Sequence, residues 1–104
     1  MAQTKASEVP EGLAPPTSPD APVVLYTTPW CGFCRAALAL LQRRQIEFVN
    51  VDVMGNLPAR NWLMQVTGRG TVPQIFIHGE SIGGFDELAQ LDGDGSLHSM
   101  VTQS

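Results

Sequence analysis

The chain predicts an α/β fold: one four-stranded mixed sheet with helices on both faces. Three observations point to it. Short β-branched runs alternate with stretches of helical apolar spacing through the first half. Two later runs are separated only by a tight turn, which makes that pair antiparallel. Finally, 104 residues suffice for one compact core and are too few for two.

The elements follow in order. VVLYTT, residues 23–28, is β-branched and aromatic, lies between Pro22 and Pro29, and reads as a buried strand. From Cys31 to Gln45 the apolar residues recur at Cys34, Leu38 and Leu41, with Ala37 and Leu40 beside them, which is helical spacing. Arg43 and Arg44 complement the dipole at its C-terminal end. IEFVNVDV, residues 46–53, reads as a second strand, parallel to the first across a right-handed crossover. Pro58 suits the first turn of a helix running to about Thr67, with Gly68 as its stop. PQIFIHGESIGG forms a hairpin around His78-Gly79-Glu80. FDELAQLD and SLHSMV read as helical pieces, with Ser96 the expected N-cap of the second. This order is that of a small thioredoxin-like architecture.

The first 21 residues are rich in Pro, Ala, Ser and Glu and have no apolar periodicity, so they are expected to form a disordered tail ahead of a domain spanning 22–104. They lack the basic start and apolar run of a secretory signal, and no later segment has the apolar length of a membrane span. A soluble, cytoplasmic protein is expected. The net charge of −4 and the absence of a Lys/Arg stripe argue against a nucleic-acid partner. DGDG at 92–95 resembles a calcium loop, but no glutamate follows at the required spacing, and a helix-ending turn accounts for it better.

Both cysteines of the chain fall in TTPWCGFC, residues 27–34. A redox dithiol, half of a metal site and two small hydrophobes are the three readings of such a pair. A zinc site needs two more ligands at short spacing, whereas His78 and His98 lie far apart on different predicted elements. Neither histidine is assigned a role. A strand-to-helix junction favours the dithiol, because unpaired amides and the positive dipole end at a helix start stabilise a thiolate. Cys31 is therefore expected to be the exposed nucleophile, ionising more readily than a free cysteine. Cys34, one turn deeper, is expected to be the shielded resolving thiol.

WCGFC after a strand, TVPQIFI after the second long helix and GGFDEL at the last strand-to-helix turn together resemble the dithiol glutaredoxins of the small bacterial-type class, over about Val23 to Val101. The resemblance implies a thioredoxin fold and a glutathione-dependent thiol–disulfide oxidoreductase acting on protein–glutathione mixed disulfides and protein disulfides. It implies a cis peptide before Pro73, with Val72 pairing through its main chain with the cysteinyl part of glutathione and Thr71 adjacent. It places the γ-glutamyl end on Gly84, Phe85 and Asp86, a glycyl-carboxylate contact on Arg69, and Phe33 beside the ligand. On the residues alone, TVP also reads as a simple strand entry, Arg69 as an exposed loop arginine, and Asp86 and Glu87 as complements to a helix dipole.

Two departures from the family pattern stand out. Thr28 replaces a lysine common three residues before the first cysteine, a loss that Arg35 is a candidate to offset. Gly32-Phe33 stands between the cysteines where Pro-Tyr is commonest. Relatives lacking that proline include members that hold a [2Fe-2S] cluster between two protomers, ligated by the first cysteine, here Cys31, and glutathione thiols. The resemblance thus implies a monomer as enzyme and a homodimer if cluster-bound.

Overall fold

The structure is a computed structural model and describes residues 8–103. Four strands, β1 (Val23–Thr27), β2 (Phe48–Asp52), β3 (Gln74–Ile77) and β4 (Glu80–Gly83), form one sheet in the order β2-β1-β3-β4. β1 runs parallel to β2 and antiparallel to β3, and β3 and β4 form the hairpin, so the sheet is mixed as expected. The helices are α1 (Gly32–Arg43), α2 (Leu57–Thr67), α3 (Phe85–Gly93) and α4 (Ser96–Thr102).

Alternation along the strands divides the core in two. Val23 and Leu25 of β1, with Ile75 and Ile77 of β3, face Ala37, Leu40 and Leu41 of α1, Leu88 of α3 and Leu97 of α4. Val24, Tyr26 and Phe76 face the other way, onto Ala59, Trp62 and Leu63 of α2. There Tyr26 meets Trp62 and Phe76 edge-on, with centroids 5.5 and 5.6 Å apart. β1, buried at every residue, is one of the two inner strands, and it ends where the cysteine loop begins.

The helix ends have local causes. α1 stops at Arg43, two residues before the expected Gln45, because Gln45 turns left-handed (φ 57°) and the Ile46 N–H returns to the Leu41 carbonyl at 2.9 Å. This reversal drops Ile46 onto the core, the hydrophobic contact that commonly accompanies such a cap. α2 starts on Asn56, whose side chain accepts from the Ala59 N–H at 3.1 Å, and ends on left-handed Gly68. Ser96 does not cap α4: left-handed Gly95 holds that position, and Ser96 is the first helical residue. The reason is that α3 reverses into α4 through Asp94-Gly95, and the Asp94 carboxylate takes the Ser96 N–H at 2.9 Å. DGDG is thus a helix-ending turn, with Asp92 bound bidentately by Arg44 at 2.8 and 3.0 Å.

The segment before β1 differs from the disordered tail expected over residues 1–21. Residues 1–7 lie outside the described residues, but residues 8–21 run against the domain without forming a helix or strand. Val9 and Leu13 pack on the α2-side core, and the Tyr26 hydroxyl donates to the Ala14 carbonyl at 2.7 Å. Thr17 lies so close to the hairpin turn that a Cβ on Gly79 would come within 2.6 Å of its Cγ2. An extended strap has no helical or strand period, and its prolines have little backbone freedom to lose on ordering, so absence of periodicity was a poor guide here.

Candidate active site

The first turn of α1 sets the two thiols apart. Cys31 is the N-cap, with extended backbone, and its Sγ accepts from the Cys34 N–H at 3.1 Å. An amide at the positive end of a helix dipole thus faces the sulfur. On its other side Sγ donates to the Val72 carbonyl at 3.6 Å. Both cysteines are free thiols. Cys31 is half-buried, whereas Cys34 is only 1% exposed. Burial foremost, aided by a hydrogen bond to Cys31, pushes the Cys34 thiol up to about 12, against the pull of the Thr28 N–H and the Arg60 charge. The sequence-based division into an outer and an inner sulfur therefore matches their positions.

The loop from Arg69 to Pro73 lies beside Cys31 and is pinned at several points. The Val72–Pro73 peptide is cis. Gln74 Nε2 donates to the Thr71 carbonyl at 2.7 Å, Arg60 Nη2 to the Gly70 carbonyl at 3.1 Å, and the Arg69 N–H to Thr67 Oγ1 at 3.1 Å. On the far side the backbone of Gly84 approaches so closely that a Cβ there would lie 3.2 Å from the Pro73 carbonyl.

Between loop and helices lies a cleft of about 130 Å³. Phe33 closes it from α1; Arg69, Thr71, Val72 and Pro73 line it from the loop; Gly84, Phe85 and Asp86 line it from the start of α3. All eight residues singled out in the sequence as ligand contacts therefore converge on one cavity. Phe33 and Phe85 stack across it, with centroids 6.2 Å apart and planes at 29°. Phe33 is 63% exposed and Trp30 78%, so both cysteines sit under an apolar rim.

Two residues of this neighbourhood were not singled out. Glu87 also lines the cleft; its Oε1 accepts from the Gly84 N–H at 2.7 Å and lies 3.5 Å from Arg69 Nη1. The Gly84 N–H chiefly holds its carboxyl below the usual carboxylate range. It is the N3 residue of α3, and its side chain reaching back to the N-cap amide is the half of a capping box that a glycine N-cap allows. Arg60, which ties α2 to the loop and acts on Cys34, stands on a face of α2 that no motif marks. Arg35, the candidate to offset Thr28, turns instead to the Pro29 carbonyl at 3.4 Å.

A half-buried and a buried free thiol one helical turn apart, on a thioredoxin-like sheet, define the class: a thiol–disulfide oxidoreductase. The glutaredoxin family model matches residues 23–82. Glutaredoxin from Pseudomonas aeruginosa is 40% identical over 81 residues, covering 78% of this chain and 96% of that protein. The buckwheat glutaredoxin–glutathione complex superposes with a TM-score of 0.73 at 29% identity, covering 79% of this chain and 77% of that one. The holo form of glutaredoxin C1 from Populus tremula x tremuloides gives 0.76 at 29% identity, covering 96% and 86%. The chain belongs to the glutaredoxin family.

Proposed function

We propose that the protein uses glutathione to reduce protein–glutathione mixed disulfides and protein disulfides. The observation that carries this reading is the convergence of the eight predicted contacts on one cleft whose Val72 carbonyl lies 3.6 Å from Cys31 Sγ. In the proposed pose the cysteinyl backbone of glutathione pairs with Val72, which brings its sulfur to Cys31. The γ-glutamyl carboxylate takes the free amides at the start of α3, around Phe85 and Asp86, and the Asp86 carboxylate meets the γ-glutamyl amine. Arg69 faces the glycyl carboxylate, with Thr71 and Pro73 shaping the wall and Phe33 covering the ligand.

The Cys31 thiolate attacks the glutathionyl sulfur of a mixed disulfide. The protein thiolate leaves and takes a proton, and glutathione is now joined to Cys31. A second glutathione thiolate attacks the glutathionyl sulfur, releasing oxidised glutathione and the Cys31 thiolate. With a protein disulfide, Cys31 attacks first and Cys34 then displaces the substrate from Cys31, closing a Cys31–Cys34 disulfide that two glutathiones reduce. Cys34 lies within reach because it is three residues along the same helix face. Such chemistry fits a monomer in a glutathione-rich reducing compartment, the cytoplasm. Among the described residues no helix is long and apolar enough to cross a membrane.

Kinetics of two variants test the assignment. Cys31→Ser loses both reactions, and Cys34→Ser keeps deglutathionylation while losing the reduction of protein disulfides. A Cys34→Ser protein inactive on a glutathionylated peptide refutes these roles.

The second reading is a [2Fe-2S] cluster shared by two protomers. It draws on the open rim: a Cβ on Gly32 would meet no atom within 4 Å, and Trp30 beside it is exposed. Among the described residues no protomer groups three metal-ligating side chains, so Cys31 from each copy and two glutathione thiols would hold the cluster, which supplies one-electron chemistry when bound. Protein purified without oxygen that stays colourless and monomeric after cluster reconstitution excludes this reading.

A further inference from the structure

The cleft already contains a carboxylate where an anionic ligand needs a cation. Glu87 Oε1 takes the Gly84 N–H at 2.7 Å and stands 3.5 Å from Arg69 Nη1. The two side chains meet over Gly83, whose backbone is left-handed (φ 107°). A Cβ there would lie 2.7 Å from Glu87 Oε1 and 2.8 Å from Arg69 Nη1 and would push these side-chain ends aside, while the backbone itself favours glycine. Yet Arg69 and Glu87 remain 47% and 42% exposed, open to a ligand.

Charge counting shows what this arrangement does. Among the described residues the charged side chains lining the cleft are Arg69, Asp86 and Glu87, a net charge of −1. Glutathione carries two carboxylates and one amine. Asp86 complements the amine, but among the described residues Arg69 is the one lining cation, and Glu87 is already beside it.

We propose that Glu87 is a specificity-determining residue: its carboxylate competes with the glycyl carboxylate of glutathione for Arg69 and so weakens the hold of the cleft on anionic tripeptide. This rests on the glutathione reading above. Competition through an exposed pair is modest, so Glu87 tunes affinity and leaves the sulfur chemistry to Cys31.

The test is Glu87→Gln, which keeps an oxygen for the Gly84 N–H and removes the charge. With glutathione as reductant, the KM for a glutathionylated peptide, whose glutathionyl group occupies the cleft, should fall about twofold to fivefold. A peptide glutathionylated with the tripeptide esterified at its glycyl carboxylate should show no such gain. The gain should also vanish in an Arg69→Gln background, because the two sites act through one another. An unchanged or raised KM overturns the proposal, a raised value meaning that Glu87 positions Arg69 for the ligand. An equal gain with the ester overturns it too. A thermal melt of each variant separates misfolding from a binding effect, and Glu87→Ser is the second variant should Glu87→Gln melt early, with the same fall in KM expected. Wild-type protein without saturable dependence on the glutathionylated peptide overturns both this proposal and the reading beneath it. Wild-type saturation with no shift in the variant overturns this proposal alone.

Discussion

Cys31 and Cys34 carry the same functional group and differ only in where α1 puts them. The outer sulfur faces an amide at the helix start, and the inner one has lost its water. Burial is the leading reason that the Cys34 thiol is pushed up to about 12, and burial persists when Cys31 is tied up in a mixed disulfide. Cys34 must lose its proton to resolve that species, and well below its pKa the thiolate fraction rises tenfold per pH unit. Where the resolving step limits turnover, reduction of a protein disulfide by the wild-type protein should therefore accelerate with pH, from about 7 to about 9, more steeply than deglutathionylation by Cys34→Ser. Parallel profiles in stopped-flow measurements would mean that proton loss from Cys34 does not set the rate.

The elements that border the cleft do so with their ends. β1 is fully buried and delivers the chain to Thr27, from which a short loop reaches Cys31 at the N-cap of α1. β4 ends at left-handed Gly83, and α3 begins one residue after Gly84 with Asp86 and Glu87 in its first turn. The amides of two helix starts thus border the same space, the arrangement that suits thiolate and carboxylate together. Opposite them, the loop after α2 is held by Arg60 and Gln74 side chains bonded to its carbonyls. At the other end of the molecule, Arg44 at the end of α1 grips Asp92 of α3, so these helices are tied together far along the chain from the cysteines. Removal of the Gln74 bond by Gln74→Leu should raise the KM for a glutathionylated peptide with a smaller change in kcat, because the loop that carries Val72 loses an anchor. Steady-state kinetics showing kcat alone affected would contradict that positioning role.

At the scale of the whole molecule the strap before β1 is the feature that most changes the picture. Val9 and Leu13 of the strap pack on the α2 side of the sheet, where Tyr26, Trp62 and Phe76 lie, and the Tyr26 hydroxyl closes the contact at Ala14. Burial pushes that hydroxyl well above the usual tyrosine range. Tyr26→Phe keeps the ring and removes the bond, so it should cost about 1 kcal/mol, a fall in Tm of roughly 4–8 °C. A melt that matches wild type would mean that the Tyr26–Ala14 bond contributes nothing to stability in solution.

Hydrophobic period, turn residues and cysteine spacing are local properties, and they sufficed for the four strands, the four helices, the mixed sheet and the unequal thiols. The three separated motifs also pointed to the residues that line the cleft. Contacts between distant segments were decided only by the folded chain: the packing of Val9 and Leu13, the turning of Arg35 to Pro29, and the meeting of Glu87 with Arg69 over Gly83. Side chains with several rotatable bonds reach many partners from one backbone position, and an aperiodic strap carries no pattern to read, so which partner wins depends on surfaces that exist only after folding.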